Sequence, residues 1–212
     1  MALYRNRDDA GRKLAESLAD LRGEGNLIVL GLPRGGVPVA FPVAEKLNAP
    51  LDVFVVRKLG APGQEEVAMG AIASGDVMVL NQGMISMINV TDAQIQQVAE
   101  REGKELRRRE EVYRQGRPPL ELRDKTVILV DDGAATGATM RVALKAIREL
   151  EPAKLVAALP VASKEACEAF AEQADRVECL ATPEPFSAVG YWYDDFGQTK
   201  DQEVRSLLAM TR

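Results

Sequence analysis

Two adjacent carboxylates, Asp131 and Asp132, stand between a short apolar run and a loop of small residues. The apolar run, Val127-Ile-Leu-Val130, has the β-branched content of a buried strand. The loop ends at Thr139 and leads into a helical pattern that continues to Leu150. A strand, a glycine-containing turn and a helix N-terminus together favour phosphate binding, because unpaired backbone N–H groups and the helix dipole attract an anion.

The loop itself combines hydroxyl donors with small side chains that let a phosphate approach the backbone: Ala135, Thr136, Gly137, Ala138 and Thr139. No lysine follows Gly137 as a P-loop requires, and the sequence has no Gly-x-Gly-x-x-Gly dinucleotide motif. Because the two carboxylates would repel a phosphate, we expect them to face a neutral, hydroxyl-rich group such as the ribose of a sugar 5-phosphate. In the alternative interpretation, the acid pair only ends a strand.

The run Val130-Asp-Asp-Gly-Ala-Ala-Thr-Gly-Ala-Thr139 resembles the signature with which type I phosphoribosyltransferases bind 5-phosphoribosyl pyrophosphate (PRPP). The resemblance implies an α/β fold with a Rossmann-like parallel sheet flanked by helices. It also implies a Mg²⁺ cofactor and transfer of the 5-phosphoribosyl group of PRPP to a nitrogenous base, with release of pyrophosphate. Asp131 and Asp132 would then act as catalytic residues and as metal ligands at the ribosyl centre.

A second glycine turn carries a cation. Pro33-Arg-Gly-Gly36 follows the predicted strand Asn26–Leu30, and it resembles the pyrophosphate loop of the same family. Arg34 could hold a pyrophosphate through two donors as a third catalytic residue, and Gly35 and Gly36 allow unusual dihedral angles and a close backbone approach. The alternative is that these residues only make a tight turn.

Arg57 and Lys58 end the predicted strand Leu51–Val56 and precede a polar segment, Leu59–Glu66, which we expect to be a loop. The family has a mobile catalytic loop in this region, so the resemblance implies substrate binding by Arg57 and Lys58. Arg57 and Lys58 correspond to the family's loop only by their position in the chain, and they do not match a sequence motif of the family. A surface loop with solvated charges is the alternative.

A β-hairpin is predicted over Val67–Ala73 and Val77–Leu80. Thr91 then caps a long helix that reaches Arg114, with charges of alternating sign that predict a solvated, self-paired surface. We interpret residues 82–119 as a helical insertion in the core fold. Further along the chain, strands and helices alternate, as a parallel sheet requires.

Both ends of the chain are predicted to be helical. The first helix spans Asp8–Leu21 with Asp8 or Asp9 as its cap, and the last helix follows Thr199 as its cap. Between the signature helix and the last helix, Ser163 caps a helix predicted to end at Ala174.

The C-terminal segment 181–212 is rich in aromatic residues. Within it, Val189-Gly-Tyr-Trp-Tyr-Asp194 resembles the hood of 6-oxopurine phosphoribosyltransferases, where an acid lies near the base and Mg²⁺. By that match Asp194 binds substrate and metal. If the segment is extended, Trp192 and Asp194 share one face, and Trp192 could stack on the base. The alternative is that the aromatic residues are structural.

One departure from the family pattern concerns the acceptor base. The 6-oxopurine enzymes carry an aspartate at the position of Ala135 and often a lysine at that of Ala138, whereas adenine-type enzymes also carry alanine at the first. The hood and the loop therefore indicate different bases. Two alternatives to a transferase stay open: a non-catalytic sensor of PRPP or a nucleotide, and a phosphosugar hydrolase that uses water.

The length fits one large α/β domain, which the resemblance identifies as a single phosphoribosyltransferase domain over residues 1–212 with a homodimer as a possible assembly. A net charge of −5 weighs against nucleic-acid binding, and no apolar run is long enough to span a membrane, so we expect a cytoplasmic protein. The absence of histidine excludes Ser-His-Asp catalysis and histidine-ligated metals. Cys167 and Cys179 are interpreted as small buried apolar residues, with a disulfide or a reactive thiol as the alternative.

Overall fold

A computed structural model describes residues 2–211 as an α/β fold with two sheets. The strands are β1 (Leu27–Gly31), β2 (Leu51–Val53), β3 (Val56–Ala61), β4 (Gln64–Ala73), β5 (Val77–Leu80), β6 (Thr126–Val130), β7 (Lys154–Val161) and β8 (Arg176–Ala181). The α-helices are α1 (Arg7–Ser17), α2 (Gly36–Leu47), α3 (Gln82–Ile88), α4 (Asp92–Arg114), α5 (Ala138–Glu149), α6 (Lys164–Phe170) and α7 (Asp201–Met210). Short 3₁₀ helices span Ala19–Leu21 and Val189–Trp192.

The central sheet is parallel, with the strand order β2-β1-β6-β7-β8. β6 shows why it is stable: Ile128 and Val130 pack towards α1 and α2 on one face, while Val127 and Leu129 pack with α5 on the other. Alternation of side chains thus buries both faces, as is typical of parallel sheets. Burial of each such side chain contributes about 1.5–3 kcal/mol. The predicted parallel sheet flanked by helices is confirmed.

The second sheet is antiparallel, in the order β3-β4-β5. It contains the predicted hairpin, in which Ala73 lies opposite Val77. The predicted loop Leu59–Glu66 is wrong, because β3 continues to Ala61 and pairs there with Gln64 of β4. The intervening Pro62-Gly63, with Gly63 at φ 73°, makes a tight turn rather than a long loop.

The link between the two sheets divides the strand that we predicted over Leu51–Val56. β2 belongs to the parallel sheet and β3 to the antiparallel one. Between them Phe54 is fully buried, and the backbone N–H of Val55 donates to Ser74 Oγ at 2.9 Å. The chain has to change sheets here, so a single strand cannot form.

α4 begins with the predicted capping box of Thr91 and Gln94. The predicted self-pairing holds for Arg109, which pairs with Glu105 at 3.0 Å, whereas Arg114 binds Asp52 on β2 instead of a neighbour in the helix. One face of α4 is buried against β3 and α7, so the helix is solvated only in part. The interpretation of residues 82–119 as an insertion in the core fold stays a prediction. Across residues 2–211, no helix has the length and apolar character needed to cross a membrane.

Two predicted helix caps are wrong. Asn6 caps α1 by accepting a hydrogen bond from the backbone N–H of Asp9 at 2.9 Å, so neither Asp8 nor Asp9 is the cap. α7 begins one residue later than predicted, with Lys200 at its N-cap and no side-chain cap bond. Thr199 is buried instead. The cap of α1 thus lies two or three residues before the predicted ones, and that of α7 lies one residue after the predicted one.

Candidate active site

The glycine turn after β1 and the acid pair after β6 meet because the two strands are neighbours. Gly31 lies opposite Val130, and the backbone N–H of Leu32 donates to the carbonyl of Val130 at 2.9 Å. Both strands run in the same direction, so both loops leave the sheet at its carboxyl edge, where ligands bind in open α/β sheets.

Gly35 and Gly36 are in contact with the acid pair. A Cβ at Gly35 would lie 2.0 Å from Asp132 Oδ2, and a Cβ at Gly36 would lie 2.6 Å from the carbonyl of Val130 and 3.1 Å from Asp131 Oδ1. Gly35 has a right-handed helical backbone at φ −63°. Glycine is therefore required here for the close approach and not, as the sequence also suggested, for unusual dihedral angles.

The signature loop turns twice through glycines. Gly133 has φ 157° and Gly137 has φ 68°, and α5 begins directly after Gly137, two residues earlier than predicted. A Cβ at Gly137 would lie 2.6 Å from the ring of Phe170 on α6. The left-handed turn and the packing of Phe170 both require glycine at this position, and together they fix the start of α5.

Neighbouring elements hold the loop in place. The hydroxyl of Ser163, which also caps α6 as predicted, donates to the carbonyl of Ala135 at 2.7 Å. Thr136 Oγ1 accepts a long hydrogen bond of 3.5 Å from the backbone N–H of Ala138. Gly137 is buried, whereas Thr136, Ala138 and Thr139 are exposed. The exposed N-terminal end of α5 can therefore receive an anion.

The acid pair is electrostatically strained. Burial raises the pKa of Asp131 well above its ordinary value, and the neighbouring charge of Asp132 raises it further. Burial also raises the pKa of Asp132, against the opposing effect of the Arg7 guanidinium. The backbone N–H of Asp132 donates to Asp131 Oδ1 at 2.9 Å. A cation or a set of hydroxyl donors would relieve this repulsion.

Arg7 is a residue of the site that the sequence analysis missed. Its Nε donates to Asp132 Oδ2 at 2.8 Å, and its Nη1 donates to the carbonyl of Gly197 at 2.7 Å. Its guanidinium also lies over the Phe196 ring, 3.9 Å from the ring centroid. Arg7 and Asp132 are 125 residues apart, so no local spacing in the sequence indicates their contact.

The aromatic tail packs on the N-terminal segment and on the acid pair. The hydroxyl of Tyr193 donates to the backbone carbonyl of Asp132 at 2.6 Å. The Tyr193 ring also packs against Tyr4, with 5.4 Å between centroids, and Tyr4 donates its hydroxyl to the Pro160 carbonyl at 2.6 Å. Tyr193, which had no assigned role in the sequence analysis, is thus the tail residue in contact with the pair.

The predicted alternation of the tail is wrong. Residues Val189–Trp192 form a 3₁₀ helix and not an extended strand, so Trp192 and Asp194 do not share a face by alternation. Trp192 is half-buried beside Phe186, with 6.1 Å between ring centroids, and its Nε1 has no hydrogen-bond partner among residues 2–211. Asp194 is exposed.

The three predicted cations lie in different surroundings. Arg34 is exposed on the glycine turn, with its Nη1 3.8 Å from Asp201 Oδ1 at the start of α7. Arg57 on β3 donates from Nε to Glu102 of α4 at 3.0 Å. Lys58 contacts Glu66 across the hairpin at 3.4 Å. Both Arg57 and Lys58 already have acidic partners, which a substrate would have to displace. Substrate binding by these two residues stays a prediction.

The predicted metal ligands Asp131, Asp132 and Asp194 do not form a three-carboxylate set. In the part of the chain that the structure describes, no group of three or more acidic or cysteine side chains converges as a metal site. Asp194 is exposed on the tail, whereas Asp131 and Asp132 follow directly after β6.

A cleft of about 1010 Å³ opens beside the signature loop. Ala135 and Thr136 line one side, Lys164 of α6 lines another, and the tail contributes Pro185 and Phe186. The tail therefore borders the space next to the loop through residues that precede the predicted hood Val189–Asp194, and neither Trp192 nor Asp194 lines the cleft.

Cys167 and Cys179 form a disulfide between α6 and β8. The preferred interpretation as reduced apolar residues is wrong, and the alternative that the sequence left open is the observed one. Both residues pack against the core, and the bond ties the edge strand β8 to the helix that supports Gly137.

The model of the phosphoribosyl transferase domain matches residues 2–194. Proteins from two Mycobacterium tuberculosis strains, CDC 1551 and H37Rv, are each named as candidate phosphoribosyl transferases and are 48% identical to this chain over 208 residues. These matches cover 98% of this chain and 47% of those proteins, so the chain spans about half the length of the curated relatives.

Among solved structures, the crystal structure of TT1426 from Thermus thermophilus is similar to this chain over its whole length. The TM-score is 0.87 and the identity 43%, with 99% of each chain covered. The overall fold is therefore shared over nearly all of the chain. The expectation of a type I phosphoribosyltransferase family member is confirmed, and the chain belongs to the phosphoribosyl transferase domain family.

Proposed function

We propose that the chain is a Mg²⁺-dependent phosphoribosyltransferase that transfers the 5-phosphoribosyl group of PRPP to a nitrogenous base and releases pyrophosphate. The observation that carries this proposal is the contact of Gly35 and Gly36 with the carboxyl groups of Asp132 and Asp131. PRPP needs adjacent subsites for a phosphate, a ribose and a pyrophosphate. The signature loop, the acid pair and the glycine turn supply them in that order.

The 5-phosphate is assigned to the exposed loop over Thr136–Thr139 and the start of α5. Backbone N–H groups there and the helix dipole favour an anion, and the two threonines add hydroxyl donors. The pyrophosphate is assigned to the turn that carries Arg34, whose guanidinium is exposed and can bind a phosphate through two donors.

Asp131 and Asp132 accept hydrogen bonds from the ribose hydroxyls and stabilise positive charge at the anomeric carbon. In the transfer, the bond from that carbon to a pyrophosphate oxygen breaks and its electron pair leaves with the pyrophosphate. A bond from the carbon to a ring nitrogen of the base forms, and the base loses a proton. Arg34 stabilises the charge on the leaving group.

The residues present fit Mg²⁺, which prefers oxygen ligands and often binds one or two carboxylates together with substrate phosphates. Asp131 and Asp132 would hold it, since both carboxyl groups lie at the ribose subsite and their raised pKa values reflect the strain that a cation relieves. When bound, Mg²⁺ would neutralise charge on the pyrophosphate and make it a better leaving group.

The acceptor base is assigned to the cleft between the signature loop and the tail. Phe186 lines the cleft and packs against Trp192, so an aromatic surface is available for stacking. Ala135 offers no acid or base for the proton of a 6-oxopurine. That feature counts against a 6-oxopurine as the acceptor. A second candidate is a sensor that binds PRPP or a nucleotide on the same fold without catalysis.

A pyrophosphate-release screen separates these functions. Purified protein is mixed with PRPP, Mg²⁺ and one free base at a time, and pyrophosphate is measured against a sample without a base. Release that depends on one class of base supports the transferase. Release without any base indicates a hydrolase, and PRPP binding without release indicates a sensor. The Asp131→Asn, Asp132→Asn double variant is the control for contaminating activity.

A further inference from the structure

Arg7 joins the acid pair to the C-terminal tail through contacts that are shielded from solvent. Its side chain is 13% exposed and that of Asp132 is 15% exposed. The other arginine of α1, Arg12, forms its pair with Asp8 at 65% and 55% exposure. Exposed pairs of that kind contribute little, whereas a shielded, geometrically fixed pair can hold a carboxylate in one orientation.

The contact with Arg7 determines which oxygen atoms of the pair remain available. Asp132 Oδ2 is enclosed by the Arg7 Nε on one side and by the Gly35 backbone on the other. Asp131 Oδ1 accepts the backbone N–H of Asp132. Within residues 2–211, no other residue donates a hydrogen bond to Asp131 Oδ2 or Asp132 Oδ1. Each carboxylate therefore presents one oxygen that no other residue engages.

Two unengaged oxygens on adjacent residues match the two hydroxyls of a vicinal diol. Each hydroxyl is a single donor, so it needs one acceptor in a fixed direction. If Asp132 were free to rotate about its side-chain bonds, its two oxygens would exchange places. Neither oxygen would then stay in a fixed direction to accept a hydrogen bond from its hydroxyl. Arg7 removes that freedom, and its second hydrogen bond, to the Gly197 carbonyl, fixes the guanidinium in turn.

We propose that Arg7 is a positioning residue that sets the acid pair to recognise the 2- and 3-hydroxyls of ribose together. It does not touch the substrate; it acts by holding Asp132 Oδ2 away from it. This inference rests on the proposed function, because it assumes that the pair binds ribose. It adds a specific consequence, namely that discrimination between ribose and 2-deoxyribose depends on Arg7.

Calorimetry with ribose 5-phosphate and 2-deoxyribose 5-phosphate tests the proposal without Mg²⁺ and without turnover. The wild-type protein is expected to prefer ribose 5-phosphate by roughly 10- to 100-fold, the factor for one hydrogen bond to a charged group. In Arg7→Ala, the preference should fall towards one, mainly through weaker binding of ribose 5-phosphate. Arg7→Lys, which keeps one charged donor, should retain more of the preference than Arg7→Ala.

Arg12→Ala is the matched control on the same helix, and it should leave the preference unchanged. Arg7→Met keeps an apolar stem over Phe196 without a donor, so it serves as the test variant if Arg7→Ala does not fold. The proposal would be overturned if the Arg7 variants kept the wild-type preference for ribose 5-phosphate over 2-deoxyribose 5-phosphate. This includes the case in which a variant binds both sugars more weakly by the same factor. A wild-type protein that binds both sugars equally would overturn the ribose assignment of the pair itself, and the role of Arg7 with it.

Discussion

Gly35→Ala is the single substitution that tests the contact between the two halves of the site. A Cβ at this position would lie 2.0 Å from Asp132 Oδ2. An ordinary contact needs more than 3.0 Å, so the carboxylate has to move by about 1 Å or more. Arg7 holds the same oxygen at 2.8 Å, so the movement also breaks or stretches that ion pair.

The expected effect is large on ligand binding and small on stability. Displacement of Asp132 by about 1 Å would break its charge-assisted hydrogen bond to the ribose, which is worth about 1.5–3 kcal/mol, or roughly 10- to 100-fold in PRPP affinity. The backbone of Gly35 at φ −63° suits alanine, so the substitution itself adds no backbone strain. In the unfolded chain, alanine has less conformational freedom than glycine, which stabilises the folded state by about 0.4–1 kcal/mol and offsets part of the clash.

The assay compares PRPP affinity by calorimetry and the midpoint of thermal unfolding for Gly35→Ala and for a matched control, Gly25→Ala. A Cβ at Gly25 meets nothing within 4 Å, so that variant should keep the wild-type affinity. Gly35→Ala should fold and bind PRPP far more weakly. A folded Gly35→Ala protein with wild-type affinity for PRPP would refute the assignment of the glycine turn and Asp132 to one ligand.

Three further predictions concern individual residues. Arg34→Ala should weaken binding of pyrophosphate more than that of ribose 5-phosphate, and equal losses by calorimetry would count against its assignment to the pyrophosphate. Hypoxanthine and guanine should be poor acceptors in the pyrophosphate-release assay, because general acid–base assistance is worth roughly 10²–10⁴ in rate and Ala135 cannot supply it; rapid turnover with either base would show that another group does so. Replacing Cys167 and Cys179 by serine should lower the free energy of unfolding by about 3 kcal/mol on a loop-closure model, and a denaturation midpoint that is the same with and without reductant in the wild type would contradict a structural disulfide.

Local signals in the sequence predicted the strand before Asp131 and the two glycine turns, which are set by contiguous residues. They placed the start of α5 two residues too late. The neighbouring positions of β1 and β6 bring the two turns together. Local signals also predicted the capping box at Thr91.

Contacts between distant parts of the chain could not be predicted in this way. The ion pair of Arg7 with Asp132 and the hydrogen bond of Tyr193 to the Asp132 carbonyl depend on how both termini pack over the carboxyl edge of the sheet. The aromatic tail has no periodicity that distinguishes a 3₁₀ turn from a strand, so the alternation expected of an extended tail is not found. The tight turn at Gly63 was predicted as part of a long loop, because proline and glycine are typical of both tight turns and long loops.

The most direct test of the account is calorimetric titration of PRPP into the wild-type protein and into the Asp131→Asn, Asp132→Asn double variant. Asparagine keeps the size of each side chain and removes its charge, so the fold should persist. Each charge-assisted hydrogen bond to a ribose hydroxyl is worth about 1.5–3 kcal/mol, which predicts a loss of at least tenfold in PRPP affinity. A folded double variant that binds PRPP as tightly as the wild type would contradict the account.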